Sequence, residues 1–284
     1  MHTLDATTLL ATPDGPCPAG RLAPGSRVTG PDGTLRRVQW VQPLTVAAEE
    51  TLDLPADSLA PGLPAIALRV GRATLVGLPP DWTAVPAADL LDGLRVTRGT
   101  AAEAMVSVEL DMPGAMLAAG LALGGTAAEP LAAVEALAAL ARQRGETPGP
   151  LQGNLDRVTH DFVSGWAHDR TQPSRPVGLI LIVNGIPRNA TLARDHRADL
   201  AEARIGDGHA ALRFILDPPL PADRPHLIQV RRATDRMPVP GSPVLLEQQT
   251  QAAAPVGAYA AMVPEERARL IGLLQAHIDA LAGG

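Results

Sequence analysis

Apolar residues in the first 125 positions form short runs that proline, glycine and aspartate interrupt at short intervals. Such runs are typical of an all-β domain, because turn residues close each strand before helical spacing can develop. The pattern therefore predicts a β domain over residues 1–125. Its clearest strands are predicted at residues 8–11, 35–41, 65–70, 73–76, 105–110 and 115–118.

The spacing of apolar residues changes at residues 127–144, which we predict to be a helix. Pro130 suits a first helical turn, and Gly145 stands where helices commonly end. An apolar stripe at helical spacing lies between them, formed by Leu131, Val134, Leu137 and Ala141. Residues 146–150 contain two prolines and a glycine, so we interpret residues 126–150 as a helix followed by a linker.

Residues 151–247 return to strand-like patterning. Asn184 and Gly185 separate two β-branched runs, which is a strong local signal for a β-hairpin. The segment predicts an antiparallel β-sandwich. Its expected strands are residues 162–166, 177–183, 186–192, 210–216 and 227–232.

Residues 248–284 are predicted to form a polar tether and a C-terminal amphipathic helix. One face of that helix would carry Leu270, Ile271, Leu274, Ile278 and Leu281. An apolar face must be buried against another surface. That surface is the chain itself, a second copy, or a protein partner. The fold class is thus mainly β, with a linker helix and a C-terminal helix.

Composition excludes several classes of function. The cores must be aliphatic, because 46% of residues are hydrophobic but only 2% are aromatic. The net charge is −6 and arginines alternate with acidic residues, which argues against a nucleic-acid partner. Cys17 is the only cysteine, so the chain has no intramolecular disulfide and no thiolate metal cage. The histidines and acids also lack metal-ligand spacing, and we expect neither metal nor cofactor.

The sequence pattern also predicts neither a membrane span nor a signal peptide. No apolar run approaches the ~20 residues that span a bilayer, so we do not expect an integral membrane protein. The N-terminus has no basic region followed by an apolar core. We therefore expect a cytoplasmic protein, or one exported by a route that needs no signal peptide.

The first domain resembles the Hint (hedgehog/intein) family over residues 3–125. The resemblance is carried by TLLATPDG at residues 8–15, LAPGSRV at 22–28, PDG at 31–33 and RVQWV at 37–41. Two later stretches, residues 68–93 and 107–120, match the family's frame in the same order. The resemblance implies an all-β Hint-like fold.

The residues that carry Hint chemistry are replaced. The family's cysteine would stand five residues before Thr8, where this chain has Thr3, and its two histidines are Thr74 and Ser107. Hint chemistry needs a nucleophile that attacks the upstream peptide carbonyl, and an imidazole that protonates the leaving nitrogen. The resemblance therefore implies an inactivated site, and Thr3 would be an ordinary residue near the N-terminus.

The segment over residues 151–247 resembles a bacterial accessory β-sandwich module appended to glycosyltransferases and surface proteins. GNLDRV at residues 153–158, GWAHD at 165–169 and IGDG at 205–208 carry this resemblance. Trp166 is expected to fill the sandwich centre, and Asp169 and Asp207 to bond backbone amides in turns. The alternative is a sugar site, in which Trp166 stacks on a ring and His168 and Asp169 bind its hydroxyls.

Three functions follow as hypotheses. The first is a non-enzymatic binding or assembly protein, a scaffold or structural subunit that docks through its C-terminal helix. The second is a carbohydrate-binding accessory protein of a polysaccharide or surface-glycan system. The third is residual Hint-type autoprocessing at Thr3.

Overall fold

A computed structural model describes residues 2–100, 103–173 and 175–248, together with Ala268. The described chain is mainly β, as predicted, and its sheets pair antiparallel. We call residues 2–125 the first module and residues 151–247 the second module. The predicted C-terminal helix, with its stripe of Leu270, Ile271, Leu274, Ile278 and Leu281, lies outside the described residues. No helix in the described part is long and apolar enough to cross a membrane.

Two sheets build the described part of the first module. One has the order β10-β6-β7-β1-β11-β5-β4 and the other β3-β2-β12-β13-β8-β9. Their strands are β1 (His2–Asp5), β2 (Leu9–Leu10), β3 (Cys17–Pro18), β4 (Arg27–Thr29), β5 (Leu35–Val46), β6 (Thr51–Leu54), β7 (Leu68–Gly71), β8 (Leu75–Leu78), β9 (Thr83–Pro86), β10 (Thr97–Arg98), β11 (Glu103–Leu110), β12 (Ala115–Ala118) and β13 (Leu121–Gly124). An aliphatic core fills the space between the sheets, as the composition requires.

Strand β1 occupies an interior position in the first sheet. It pairs antiparallel with β11 on one side and with β7 on the other. Leu4 is fully buried in the core, and Thr3 lies directly opposite Ser107 of β11. Strand β1 is therefore paired on both sides, and residues 2–5 cannot leave without opening the sheet.

The second module consists of two sheets of four strands in the described residues. Their orders are β14-β15-β19-β18 and β17-β16-β20-β21. The strands are β14 (Leu151–Val158), β15 (Phe162–Asp169), β16 (Val177–Val183), β17 (Ile186–Ala193), β18 (Asp195–His196), β19 (His209–Ile215), β20 (His226–Arg232) and β21 (Val244–Leu246), with a short helix α2 (Ala198–Glu202) before β19. Val163, Leu179, Phe214 and Val230 are among the residues buried between the sheets.

Helix α1 (Pro130–Gln143) is observed where the change of spacing predicted a helix. Leu137 and Leu140 pack into the core of the first module. Val134 and Ala138 pack instead against Ile180, Ala190 and Ala233 of the second module. The helix is therefore a shared core element, because its buried surface faces both modules.

The segment over residues 146–150 is also held in place. Glu146 pairs with Arg144 and with Arg175 of the second module. Gly149 donates its N–H to Asp169, and its carbonyl accepts a bond from Arg232. The predicted linker therefore contacts the second module through both side-chain and backbone groups.

Candidate functional site

Thr3 and Thr74 are joined by two hydrogen bonds. The Thr74 hydroxyl accepts a bond from the Thr3 N–H at 3.0 Å and donates one to the Thr3 carbonyl at 2.9 Å. Thr74 is only 2% exposed. The Thr3 backbone is therefore held by a buried side chain 71 positions away in the chain.

Ser107 completes the group of replaced Hint positions. It is buried and directly faces Thr3 across the β1–β11 pair, and cross-strand partners project to the same face of a sheet. Its hydroxyl has no hydrogen-bond partner among the described residues. Gly71 lies close on the other side, because a Cβ there would come within 2.8 Å of the Thr3 Cβ. The fold thus brings Thr3, Thr74 and Ser107 together, but they supply only hydroxyl groups.

His2 is the only histidine in the first 125 positions. Its neighbour Thr3 projects to the opposite face of the strand, since successive side chains alternate. The His2 ring packs against Gly124, where a Cβ would come within 2.9 Å of Nε2. Burial lowers the pKa of His2 to about 4, so its imidazole is neutral at pH 7. His2 therefore offers no protonated imidazole to Thr3.

Trp166 and His168 line a cavity of about 990 Å³ on the outer face of β15. The expectation that Trp166 fills the sandwich centre is wrong. Val163 and Ala167 face the core between the sheets, and Trp166 alternates to the other side of the strand. It is half-buried there against Leu200, Ala210 and Ala211, in a cluster separate from the main core.

His168 is buried but has no hydrogen-bond partner. Its side chain is 8% exposed, and neither ring nitrogen is bonded to any described residue. Gly206 makes room for it, because a Cβ at that position would come within 3.2 Å of Nε2. Both nitrogens are also closed off from solvent, so the His168 ring shapes the cavity wall without presenting a hydrogen-bonding atom to it.

Asp169 does not share the cavity with Trp166 and His168. It accepts bonds from the N–H groups of Thr171 and Gly149 and from the Thr171 hydroxyl, and it pairs with Arg232 at 3.0 Å. Burial raises the pKa of Asp169, but these hydrogen bonds and the guanidinium outweigh it and lower the pKa below its usual value. The predicted turn bonds of Asp169 and of Asp207, which accepts the His209 N–H, are both present.

Arg232 is a residue that the motifs do not single out. It is 4% exposed, and it donates to Asp169, to both carboxylate oxygens of Asp235 and to the Gly149 carbonyl. Gln152, Arg170 and Arg204 of the cavity wall were also missed, since they carry no spacing signal. In the part of the chain that the structure describes, no three His, Cys, Asp or Glu side chains cluster as metal ligands.

A scan of protein-family models gives no match for this chain, and neither does a comparison with curated proteins. Solved structures that it resembles include the gp41-1 intein, with 13% identity and a TM-score of 0.35, covering 44% of this chain and 99% of that chain. The MchDnaB-1 intein has 18% identity and a TM-score of 0.33, with 43% and 99% covered. The Msm DnaB1 intein splicing domain, solved with bound zinc, has 21% identity and a TM-score of 0.34, with 43% and 99% covered.

Proposed function

We propose that this chain is a non-enzymatic binding or assembly protein, in which a Hint-type frame is kept as architecture without its autoprocessing chemistry. The observation that carries the proposal is the pair of hydrogen bonds between the Thr74 hydroxyl and the Thr3 backbone. Thr74 stands at a position where the resemblance would place a histidine, and its contacts support the proposal that the reaction is lost.

The proposed loss of activity depends on the proton that the leaving nitrogen needs. Cleavage before Thr3 requires that the Thr3 hydroxyl attack the His2 carbonyl and that the Thr3 nitrogen leave with an added proton. The Thr74 hydroxyl donates its one proton to the Thr3 carbonyl, so it can only accept at the Thr3 nitrogen. Ser107 offers another neutral hydroxyl and no base. General acid–base catalysis, which typically raises a reaction rate by about two to four orders of magnitude, is therefore missing.

The test is intact mass after prolonged incubation with hydroxylamine, which intercepts an ester or thioester. We expect an unchanged mass for the wild-type chain, because no group protonates the leaving nitrogen. Thr3→Cys should also stay intact, since a better nucleophile alone does not supply the acid. Thr3→Ala is the matched control for background hydrolysis. Loss of residues 1–2 from the wild type, but not from Thr3→Ala, would refute the proposal and favour residual autoprocessing.

The assembly part of the proposal rests on the predicted C-terminal helix. We propose that its stripe of Leu270, Ile271, Leu274, Ile278 and Leu281 docks on a second copy or on a protein partner. Deleting residues 263–284 should then change the mass measured by light scattering or remove a captured partner. A double substitution, Leu274→Glu with Ile278→Glu, should act as the deletion does. Identical masses and identical captured proteins would contradict this part.

We also propose a second candidate function, saccharide binding by the second module. The observation that favours it is the half-buried indole of Trp166 in an open cavity whose wall also carries Gln152, Arg170 and Arg204. Asp169 is no longer part of this candidate site, because its oxygens are committed to Thr171, Gly149 and Arg232. Retardation of the protein in polysaccharide gels, and its loss in Trp166→Ala, would support this function. Absence of retardation on every polysaccharide would refute it.

A further inference from the structure

We infer that the cavity beside Trp166 and His168 binds an acidic saccharide, a ring carrying hydroxyls and at least one carboxylate. This inference rests on the second candidate function and narrows it to a chemical class. It depends on two guanidiniums at the cavity wall, and on the aromatic surface and the Gln152 amide next to them. Each of these is a property of the described residues.

The floor of the cavity comes from the paired strands β14 and β15. Gln152 lies directly opposite His168, and Trp166 projects from the same face two residues earlier. The half-buried indole gives a flat apolar surface beside the exposed amide of Gln152. Alternating apolar and hydrogen-bonding surface suits a sugar ring, which has C–H faces and hydroxyl edges.

Gln152 explains why the ligand should carry hydroxyls. Its side chain is exposed on the cavity wall, and its amide has two donors and an acceptor. A hydroxyl group is also both donor and acceptor, so vicinal hydroxyls can bond both ends of the amide. Both nitrogens of His168 are closed off from solvent, so its ring only shapes the wall.

Arg170 and Arg204 explain why the ligand should be anionic. Both line the cavity and are exposed, and neither forms an ion pair with any described residue. The only carboxylate on the described lining is Asp207, which lies 3.2 Å from the His209 Nδ1 and accepts the His209 N–H. Two unpaired guanidiniums against one carboxylate give a local positive charge in a chain of net charge −6. Guanidinium binds carboxylate with matched, bidentate geometry.

The test compares two probes that differ in one group per ring, a carboxylate or its uncharged methyl ester. Oligogalacturonate carries a carboxylate on every ring, and its fully methyl-esterified form has the same backbone without the charge. Titration of the full-length protein by calorimetry should give at least about ten-fold tighter binding of the acidic probe, since a charge-assisted bond contributes about 1.5–3 kcal/mol.

Variants locate the binding. Arg170→Gln and Arg204→Gln change exposed side chains, so the fold is retained, and each should weaken acidic binding about ten-fold. Arg188→Gln is the matched control, because Arg188 is equally exposed on β17 and does not line the cavity. Gln152→Ala and Trp166→Ala should weaken both probes.

The outcomes separate the inference from the function on which it rests. Equal affinity for the two probes would overturn the acidic class while leaving saccharide binding in place. Binding of neither probe nor any other polysaccharide would overturn both. Equal loss of acidic binding in Arg188→Gln and Arg204→Gln would assign the affinity to general surface charge and overturn the site.

Discussion

At the scale of single residues, Arg232 connects two parts of the second module with the segment that precedes it. Its guanidinium joins Asp169 at the end of β15, Asp235 in the turn after β20, and the Gly149 carbonyl before β14. A buried cation is tolerated only where charge and hydrogen bonds compensate its lost hydration. Asp169 is therefore a structural residue, whose role is to compensate Arg232 and to hold the Gly149 backbone.

The first prediction concerns Asp169→Asn, which keeps the shape of the side chain and removes its charge. Leaving a buried cation partly uncompensated should lower the free energy of unfolding by about 2–4 kcal/mol. Asp207→Asn is the control, because Asp207 also accepts a turn N–H but is exposed. Urea denaturation should show a clear loss of stability for the first variant and a change within about 0.5 kcal/mol for the second. Equal midpoints for Asp169→Asn and wild type would contradict the structural role.

The second prediction concerns the acid sensitivity that His2 confers. Its pKa of about 4 in the folded chain lies below the ordinary value of 6.5. Between these values the unfolded chain binds a proton that the folded chain does not, so stability is complete above pH 6.5 and falls as the pH drops toward 4. At pH 4.5 the loss should be about 2 kcal/mol.

His2→Gln isolates this contribution, because every other titrating group is common to both proteins. The fall in unfolding free energy from pH 7 to pH 4.5, measured by urea denaturation, should be about 2 kcal/mol smaller in the variant than in the wild type. The same pH dependence in both proteins would mean that His2 titrates normally.

Residue chemistry explains what the sequence could predict of the candidate sites. The turn bonds of Asp169 and Asp207 were predictable, because they are local and depend on neighbouring residues. The bond between Thr74 and Thr3 was not, since it spans 71 positions and a threonine has no spacing signal. Arg170 and Arg204 could not be predicted either, because an exposed arginine carries no functional signal in a sequence. Only the fold shows that neither forms an ion pair with a described residue.

At the scale of elements, helix α1 has two buried surfaces. Its apolar stripe predicted the helix itself, with Pro130 at the start, as observed. The stripe could not reveal what the helix packs against. Leu137 turns to one module and Ala138 to the other, although they are adjacent in the chain. Side chains of adjacent helical residues point about 100° apart. Because the two modules cover neighbouring sides of α1, the buried surface of the helix is wide.

Strand prediction succeeded where alternation or a hairpin turn marked the strand, as at β11, β16 and β17. It missed about half of the strands in the described residues, among them β1, β6, β9, β13 and β14. Strand β13 is a buried run of four residues, too short for periodicity to classify. Strand β14 contains Gly153, Asn154 and Asp156, which are uncommon in strands, and its pairing with β15 outweighs those local preferences.

The third prediction uses two adjacent alanines of α1. Ala138 is buried against Ile180, Ala190 and Ala233, whereas Ala139 is exposed on the same helix. Ala138→Arg should lower the free energy of unfolding by at least about 3 kcal/mol, because a bulky cation enters a closed apolar contact. Ala139→Arg should change it by less than about 0.5 kcal/mol. Comparable urea midpoints for the two variants would show that α1 does not pack on the second module as described.

At the scale of the whole molecule, the two modules share core and polar contacts. Leu137 and Leu140 of α1 complete the first module, and Arg144 donates to the Leu59 carbonyl and pairs with the buried Asp92. Arg194 of the second module also pairs with Asp89 of the first. The first module therefore depends on residues beyond 125, although the sequence suggested that it ends there.

The fourth prediction tests this dependence with two fragments. A fragment of residues 1–147 retains α1, whereas a fragment of residues 1–125 lacks it and exposes the surface that Leu137 and Leu140 cover. Burying a leucine contributes roughly 1.5–3 kcal/mol, so the longer fragment should be more stable by at least about 3 kcal/mol. Calorimetry should show a cooperative transition for residues 1–147 and a lower or absent one for residues 1–125. In the longer fragment, the double substitution Leu137→Ala with Leu140→Ala should reproduce most of that loss of stability. Equal melting temperatures for the two fragments would show that the first module is complete without the helix.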